Sequence, residues 1–231
     1  MKRKLFWLSL PLLVFSVAAA AQDSSNSDLE RVLKQMDATA ANFHTTQASF
    51  AWDEYQKVVD ETDTETGKVY FRKQGQDTQM AADIATPDPK YVLFAEGKVQ
   101  IYQPKIDQVT TYNAGKNRAD FESFLVLGFG GGGHDMLKSF DVKYLASERV
   151  AGMDTAKLEL IPRSQKVRNT FERIWLWVDP VRGVSVQQQL IEPSGDYRLA
   201  KYSEIQLNQR IPDSVFKLKT TGKTKFVSPQ G

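Results

Sequence analysis

Two histidines, His44 and His134, and no cysteine are what this 231-residue chain offers to nucleophilic or thiolate chemistry. A zinc cluster or a histidine triad is not easily assembled from them. Each reads as a surface or loop residue, His44 near the end of a helix and His134 inside the run Gly128-Phe129-Gly130-Gly131-Gly132-Gly133-His134. Carboxylates are plentiful, but they stand in turns and on polar faces, where no local motif singles out an acid and base pair. The glycine run lacks the following lysine-serine pair and the parallel strand-helix setting of a phosphate loop, and it reads as a mobile hinge. Asp60-Glu61-Thr62-Asp63-Thr64-Glu65-Thr66-Gly67 reads as an acidic, solvated turn whose spacing lacks the central glycine and terminal glutamate of a calcium loop. No catalytic residue, metal or cofactor is expected, and binding is the remaining class of function.

What the chain supplies in quantity is apolar side chains at alternate positions. Phe171 to Val178 is almost wholly aromatic, β-branched or aliphatic and stops at Asp179-Pro180-Val181-Arg182-Gly183, a strand running into a turn. Val184 to Ile191 returns, Glu192 to Asp196 turns again, and Tyr197 to Leu207 runs out, which makes a meander. Alternation puts Ile174, Leu176 and Val178 on one face and Trp175 and Trp177 on the other. Both faces are apolar, so this strand is either sandwiched inside a core or lines a cavity.

The elements around it follow from period and punctuation. Ser27-Asp28-Leu29-Glu30 fits a capping box, and Leu29, Val32, Leu33, Met36 and Ala40 give a helix one apolar stripe. Thr46 to Val59 alternates as a first long strand, and Lys68 to Lys73 returns from the acidic turn. Short strands follow over Thr78–Ile84, Lys90–Ala95, Lys98–Gln103 and Gln108–Tyr112, joined by loops too short for parallel crossovers. Arg118 to Leu127, with Phe121, Phe124 and Leu125 at helical spacing, reads as a short lid helix. Asp141–Ser147 and Thr155–Ile161 complete about eleven strands in an α+β plan with a strongly curved, barrel-like antiparallel sheet. Such a lining makes a hydrophobic hollow suited to binding and release.

The ends fix the compartment. Lys2, Arg3 and Lys4, an apolar run from Leu5 to Val17 and the small residues Ala18 to Ala21 form a signal peptide, too short in its apolar part to span a bilayer. Residues 1–21 are therefore expected to be cleaved near Ala21, leaving residues 22–231 as one periplasmic domain. Without a cysteine the mature chain carries no lipid anchor of its own. Loss of three positive charges takes the net charge from +2 to −1, which argues against nucleic acid as a partner.

Several stretches together resemble the bacterial outer-membrane lipoprotein carrier family, LolA, and its wider group of periplasmic lipoprotein-sorting proteins. They are Ala48-Ser49-Phe50 after the first helix, Gly67 to Lys73, Glu96-Gly97-Lys98 leading to Tyr102-Gln103-Pro104 and Asp107-Gln108-Val109, Ile174 to Pro180, Pro193-Ser194-Gly195 and Asn208 to Phe216. The resemblance implies an unclosed barrel covered by helices that holds lipoprotein acyl chains without a cofactor and carries them from the inner to the outer membrane. It implies a monomer with acylated lipoproteins or lipids as cargo, and with an inner-membrane release complex and an outer-membrane acceptor as partners. The same fold also serves envelope-stress sensing or regulatory modules, which is the alternative function. The cavity positions carried over are Phe50, Trp52, Val69, Phe71, Met80, Phe121, Leu125, Ile174, Leu176 and Val178. Members of the family commonly place arginine and proline after the second strand, where the arginine is tied to closing the lid. Here Lys73-Gln74 stands at that place and Arg72 one residue earlier, so Lys73 and Arg72 are the gating candidates.

Overall fold

The computed structural model describes residues 17–75, 77–113 and 127–229, with side chains from Ser25 onward. Helix α1 spans Val17–Ala41, followed by strands β1 Thr45–Gln56, β2 Glu61–Gln74, β3 Asp77–Thr86, β4 Lys90–Ala95, β5 Lys98–Gln103 and β6 Gln108–Asn113. After the crossover come α2 Gly133–Ser139, β7 Phe140–Val150, β8 Met153–Pro162, the single turn α3 Gln165–Arg168, β9 Arg173–Asp179, β10 Val184–Ile191, β11 Tyr197–Leu207 and β12 Lys225–Val227. The twelve strands of the described residues form one curved, unclosed sheet in the order β12-β6-β5-β4-β3-β2-β1-β11-β10-β9-β8-β7.

Two meanders are thus joined edge to edge in the middle of the sheet. The chain walks outward from β1 to β6, crosses to the far edge at β7, and walks back to β11, which pairs antiparallel with β1 from Thr46↔Leu207 to Tyr55↔Tyr197. The Phe171 to Leu207 stretch is the expected meander, and its first turn is built by Asp179. That carboxylate accepts from the amides of Val181 and Arg182 and from Arg182 Nε, at 2.9, 3.1 and 2.7 Å. Burial opposes its ionisation, but the Arg182 guanidinium and the turn amides outweigh it and hold the carboxyl below its ordinary range.

Register makes one face continuous. Trp52 pairs with Ala200, Ala200 with Gln188, Gln188 with Leu176, Leu176 with Leu158 and Leu158 with Tyr144. Paired residues point the same way, so this row crosses six strands on one side. We call that side, which α1 covers, the inner face. The outer face carries Ala81 and Leu93 under the C-terminal segment, where Ile211 and Phe216 pack on them.

Three expectations change. The helix already runs from Val17, the first described residue, so Ser27 lies within it and does not cap it; a capping box reflects only local bonds, and the chain before it is already helical. The stretch 61–66 is strand, not turn, because β1 offers a partner along its whole length. A twelfth strand, Lys225–Val227, pairs parallel with β6, held by Thr221 and Thr224 hydroxyls on the Asp107 carboxylate at 2.6 Å each. Except for Leu127, the lid helix expected over Arg118–Leu127, with Phe121 and Leu125, lies outside the described residues.

Candidate functional site on the inner face

At the β7–β9 end the inner face is filled. Val32, Leu33 and Met36 of α1 meet Leu158, Leu160, Ile174, Leu176 and Val178, all at most 2% exposed. Each such side chain contributes about 1.5–3 kcal/mol by leaving water. The helix is pinned where it crosses the β9–β10 turn. Thr39 Oγ1 donates to the Arg182 carbonyl at 2.7 Å, and Gly183, at positive φ, lies so close that a Cβ there would sit 2.6 Å from the Gln35 carbonyl. Ile174, Leu176 and Val178 therefore face inward, as alternation requires, but under a helix instead of an open space.

Over β1, β2 and β11 the cover is a loop. Phe129, 1% exposed, drops from the glycine run into a cluster of Phe43, Ala48, Phe50, Val69, Phe71 and Ile84. Its ring stacks on Phe71 with centroids 5.2 Å apart and meets Tyr202 edge-on at 4.7 Å. Burial pushes the Tyr202 phenol up, so it stays neutral beside these rings. The loop is docked by backbone: Gln188 Nε2 donates to the Leu127 carbonyl and the Ser185 amide to the Gly128 carbonyl at 2.9 Å. The glycines are needed for proximity. Gly128 and Gly130 have positive φ, and a Cβ would strike Ser185 at the first and the Phe43 ring at the second. The mobile hinge expected from the composition is a closely packed plug, because glycine here lets backbone touch side chains instead of leaving it loose.

The far end of the plug is held by charge. His134 Nδ1 bonds the Asp37 carboxylate, its Nε2 lies 3.2 Å from Glu30, and its amide donates to Asp37 at 3.0 Å. The hydrogen bond to Asp37 and then that to Glu30 raise the imidazole pKa above its ordinary value. Burial acts against Asp37, yet the His134 bonds hold its carboxyl low, and Glu30 is held low by Lys34 and then His134.

Beyond the plug, the inner face of β3 to β5 is apolar, with Ile84 and Phe94 buried and Met80, Ala82, Val92, Val99 and Ile101 half buried. Trp52, 39% exposed, stands where this strip meets solvent. Charge rims it there. Lys90 pairs with Glu65 at 2.6 Å, and Arg198 lies between Glu54 at 3.6 Å and Glu192 at 3.3 Å. Phe50, Val69, Phe71 and Met80 come together around the plug and strip, with Trp52 at the rim, while Ile174, Leu176 and Val178 lie in the helix-covered core.

The gating candidates separate by face. Lys73 is exposed and follows Phe71 by two residues, hence on the inner side. Arg72 points outward, its guanidinium 4.1 Å from the Phe216 ring, bonded to Gln79 at 2.7 Å and paired with Asp213. It clamps the C-terminal segment on the outer face. Beside it Tyr91 donates to the Val215 carbonyl, and burial pushes that phenol up to about 12. Among the described residues no three of His, Cys, Asp and Glu are placed to hold a metal ion.

The outer membrane lipoprotein carrier protein LolA family matches residues 41–219, which takes in β1 to β11. The chain belongs to the LolA family. Among solved structures, an uncharacterized conserved protein from Thermus thermophilus is similar at 14% identity and TM-score 0.52, over 91% of this chain and 99% of that one. MucB is similar at 12% identity and TM-score 0.52 over 89% of this chain, which spans 66% of MucB's own length. A LolA-superfamily protein from Nitrosomonas europaea aligns at 14% identity and TM-score 0.40 over 82% of this chain and 97% of that one. No curated protein matches it in sequence. The likeness to these structures is one of fold. Within the LolA fold, sequence reasoning missed Phe129, whose signal was an aromatic residue isolated among glycines, and Val92 and Ile101, whose strands are too short to show a face by alternation alone.

Proposed function

We propose that this LolA-family protein is a periplasmic carrier that holds the acyl chains of lipoproteins on the inner face of β1 to β5 and shuttles them from the inner to the outer membrane. The observation that carries the reading is the half-buried apolar strip Met80, Ala82, Val92 and Ile101, continuous with a pocket occupied by one phenylalanine on a loop. An acyl chain gains about 0.8 kcal/mol per CH₂ removed from water, so a strip of this kind retains it without any polar bond. Phe129 then stands in for cargo in the unloaded protein, and the entering chain takes its place against Phe71 and Tyr202. A basic, apolar, small-residue N terminus directs the chain to the periplasm with cleavage near Ala21. There it works as a monomer between a release complex in the inner membrane and an acceptor in the outer membrane, with no cofactor and no catalytic step.

Mass spectrometry of protein purified without detergent, together with titration by a fluorescent fatty acid, tests the reading. Co-purified acyl chains or lipoproteins and saturable fatty-acid uptake are expected. A protein that arrives without lipid and takes up no fatty acid contradicts it. Capture from envelope membranes separates the regulatory alternative: a mixed set of lipoproteins supports transport, and one single-pass membrane protein as the main partner supports sensing.

A further inference from the structure

Glu61-Thr62-Asp63-Thr64-Glu65-Thr66 alternates a carboxylate with a threonine, and in the structure it is the first half of β2. Register puts Glu61, Asp63 and Glu65 opposite Gln56, Glu54 and Trp52, so the carboxylates extend the inner face outward past the rim of the hollow. Thr62 and Thr64 look outward. On the other side of β2, β3 ends at Thr86, whose partner is Thr66. Among the described residues Glu61 to Glu65 is consequently paired to β1 alone.

In an antiparallel strand every second residue turns its N–H and C=O to each side, so this segment presents an unused ladder about 13 Å long at ~3.3 Å per residue. Open edges are usually blunted by proline, by a bulge or by charged side chains, lysine above all. Neither proline nor lysine lies within 61–65, and the bulge comes after it, at Thr66/Gly67; the charges present are carboxylates, which repel a second copy of this edge and admit a basic segment. The ladder is also held firmly from behind. β1 stays paired with β11 to Tyr55↔Tyr197, those two rings stack at 4.8 Å, and Asp53 bonds Lys201 at 2.7 Å and Thr64 at 2.8 Å. Glu65 is already paired with Lys90, whereas Glu61 and Asp63 are exposed and make no ion pair among the described residues.

We propose that the β2 edge at Glu61–Glu65 is the docking site for an extended basic peptide segment, the polypeptide that follows the acylated end of a cargo. The segment adds as a strand in the line of β3, with Lys or Arg at every second position meeting Asp63 and Glu61. The charge chooses the occupant. The same edge of a second copy would set carboxylate against carboxylate, and an acidic or neutral segment gains no complementary contact. The assignment to an acylated cargo rests on the carrier function; the strand edge itself does not.

The test uses two ten-residue peptides that alternate threonine with lysine or with glutamate, unacylated, titrated into the full mature protein at low salt. Anisotropy of a label reads affinity, and backbone amide shifts read position. The lysine peptide should bind at least about tenfold more tightly than the glutamate peptide, lose that advantage as salt is raised, and shift the amides of residues 61–65. The double variant Glu61→Gln, Asp63→Gln, exposed at both sites, should lose the preference while taking up fluorescent fatty acid as the parent does. Equal binding of the two peptides overturns the proposal, as does a lysine preference that survives the double variant or shifts amides elsewhere. A parent that takes up no fatty acid contradicts instead the carrier function, and with it the identity of the segment as part of an acylated cargo.

Discussion

Trp52 and Leu176 lie in one row of paired positions on one face of one sheet, yet Leu176 is 0% exposed and Trp52 is 39% exposed. The difference comes from what lies above each. Over Leu176 runs a helix that buries Val32, Leu33 and Met36 and is bonded to the β9–β10 turn. Between that helix and Trp52 the cover among the described residues is Phe129 on a glycine loop with Phe43 beside it, and Trp52 itself stands at the rim. An apolar inner face is therefore necessary for a hollow but does not locate it. On the proposed function, the part vacated for cargo is the part covered by a loop and not by the helix.

Three tests with four substitutions put that comparison at risk, from the largest effect to the smallest. Leu176→Arg should abolish the cooperative melt or lower stability by several kcal/mol, since a guanidinium has no partner under α1, whereas Val92→Arg should leave a folded protein that no longer takes up fatty acid. Thermal melts and uptake titrations read both, and equal damage at the two sites contradicts a difference in cover. Phe129→Ala should cost about 3–5 kcal/mol in the unloaded protein, with much of the loss restored by a bound acyl chain that fills the same space. If fatty acid stabilises the variant no more than the parent, Phe129 does not occupy the cargo's place. Gly130→Ala should destabilise by about 1–3 kcal/mol through its positive φ and the contact with Phe43, and should weaken the plug without touching β9.

A fourth expectation concerns pH. The raised pKa of His134 means that its charge supports the loop fully below the ordinary imidazole range, near pH 6.5, with that support lost as pH rises through the raised value. The lowered values of Asp37 and Glu30 mean the opposite for the carboxylates, whose support is lost as pH falls through the acidic range. Lys34, Asp135 and Lys138 are also close, the last two paired with each other. Protection of the amides of residues 128–134, corrected for intrinsic exchange at each pH, should thus be greatest in mild acid and fall on either side, and His134→Gln should flatten the alkaline limb. An unchanged alkaline limb in that variant shows that the histidine does not fasten the loop.

Much of the fold was legible because it was written in period and punctuation. β9 to β11 carry dense apolar alternation and turns with proline and glycine, and these appear as expected. Alternation also assigned Phe50, Phe71, Met80 and Leu176 to one face correctly, since strand geometry leaves no choice. It could not say what covers that face. Leu176 meets a helix distant in sequence, and only tertiary packing decides that. The first half of β2 was hidden because carboxylate-threonine alternation has no apolar signal, although threonine at every second position is itself suited to a strand. Phe129 was hidden because glycines read locally as freedom, while here they permit contact. Arg72 was placed on the opposite face from Lys73, and its ring contact with Phe216 could not be read across the intervening sequence.

The central claim is that cargo occupies the β1–β5 half of the inner face and not the half beneath α1. Photo-crosslinking with a diazirine-bearing palmitate, followed by peptide mapping, tests it most directly. Labels are expected on Trp52, Met80, Val92 and the loop carrying Phe129. Labels concentrated instead on Val32, Leu33, Ile174 and Leu176 would contradict the account.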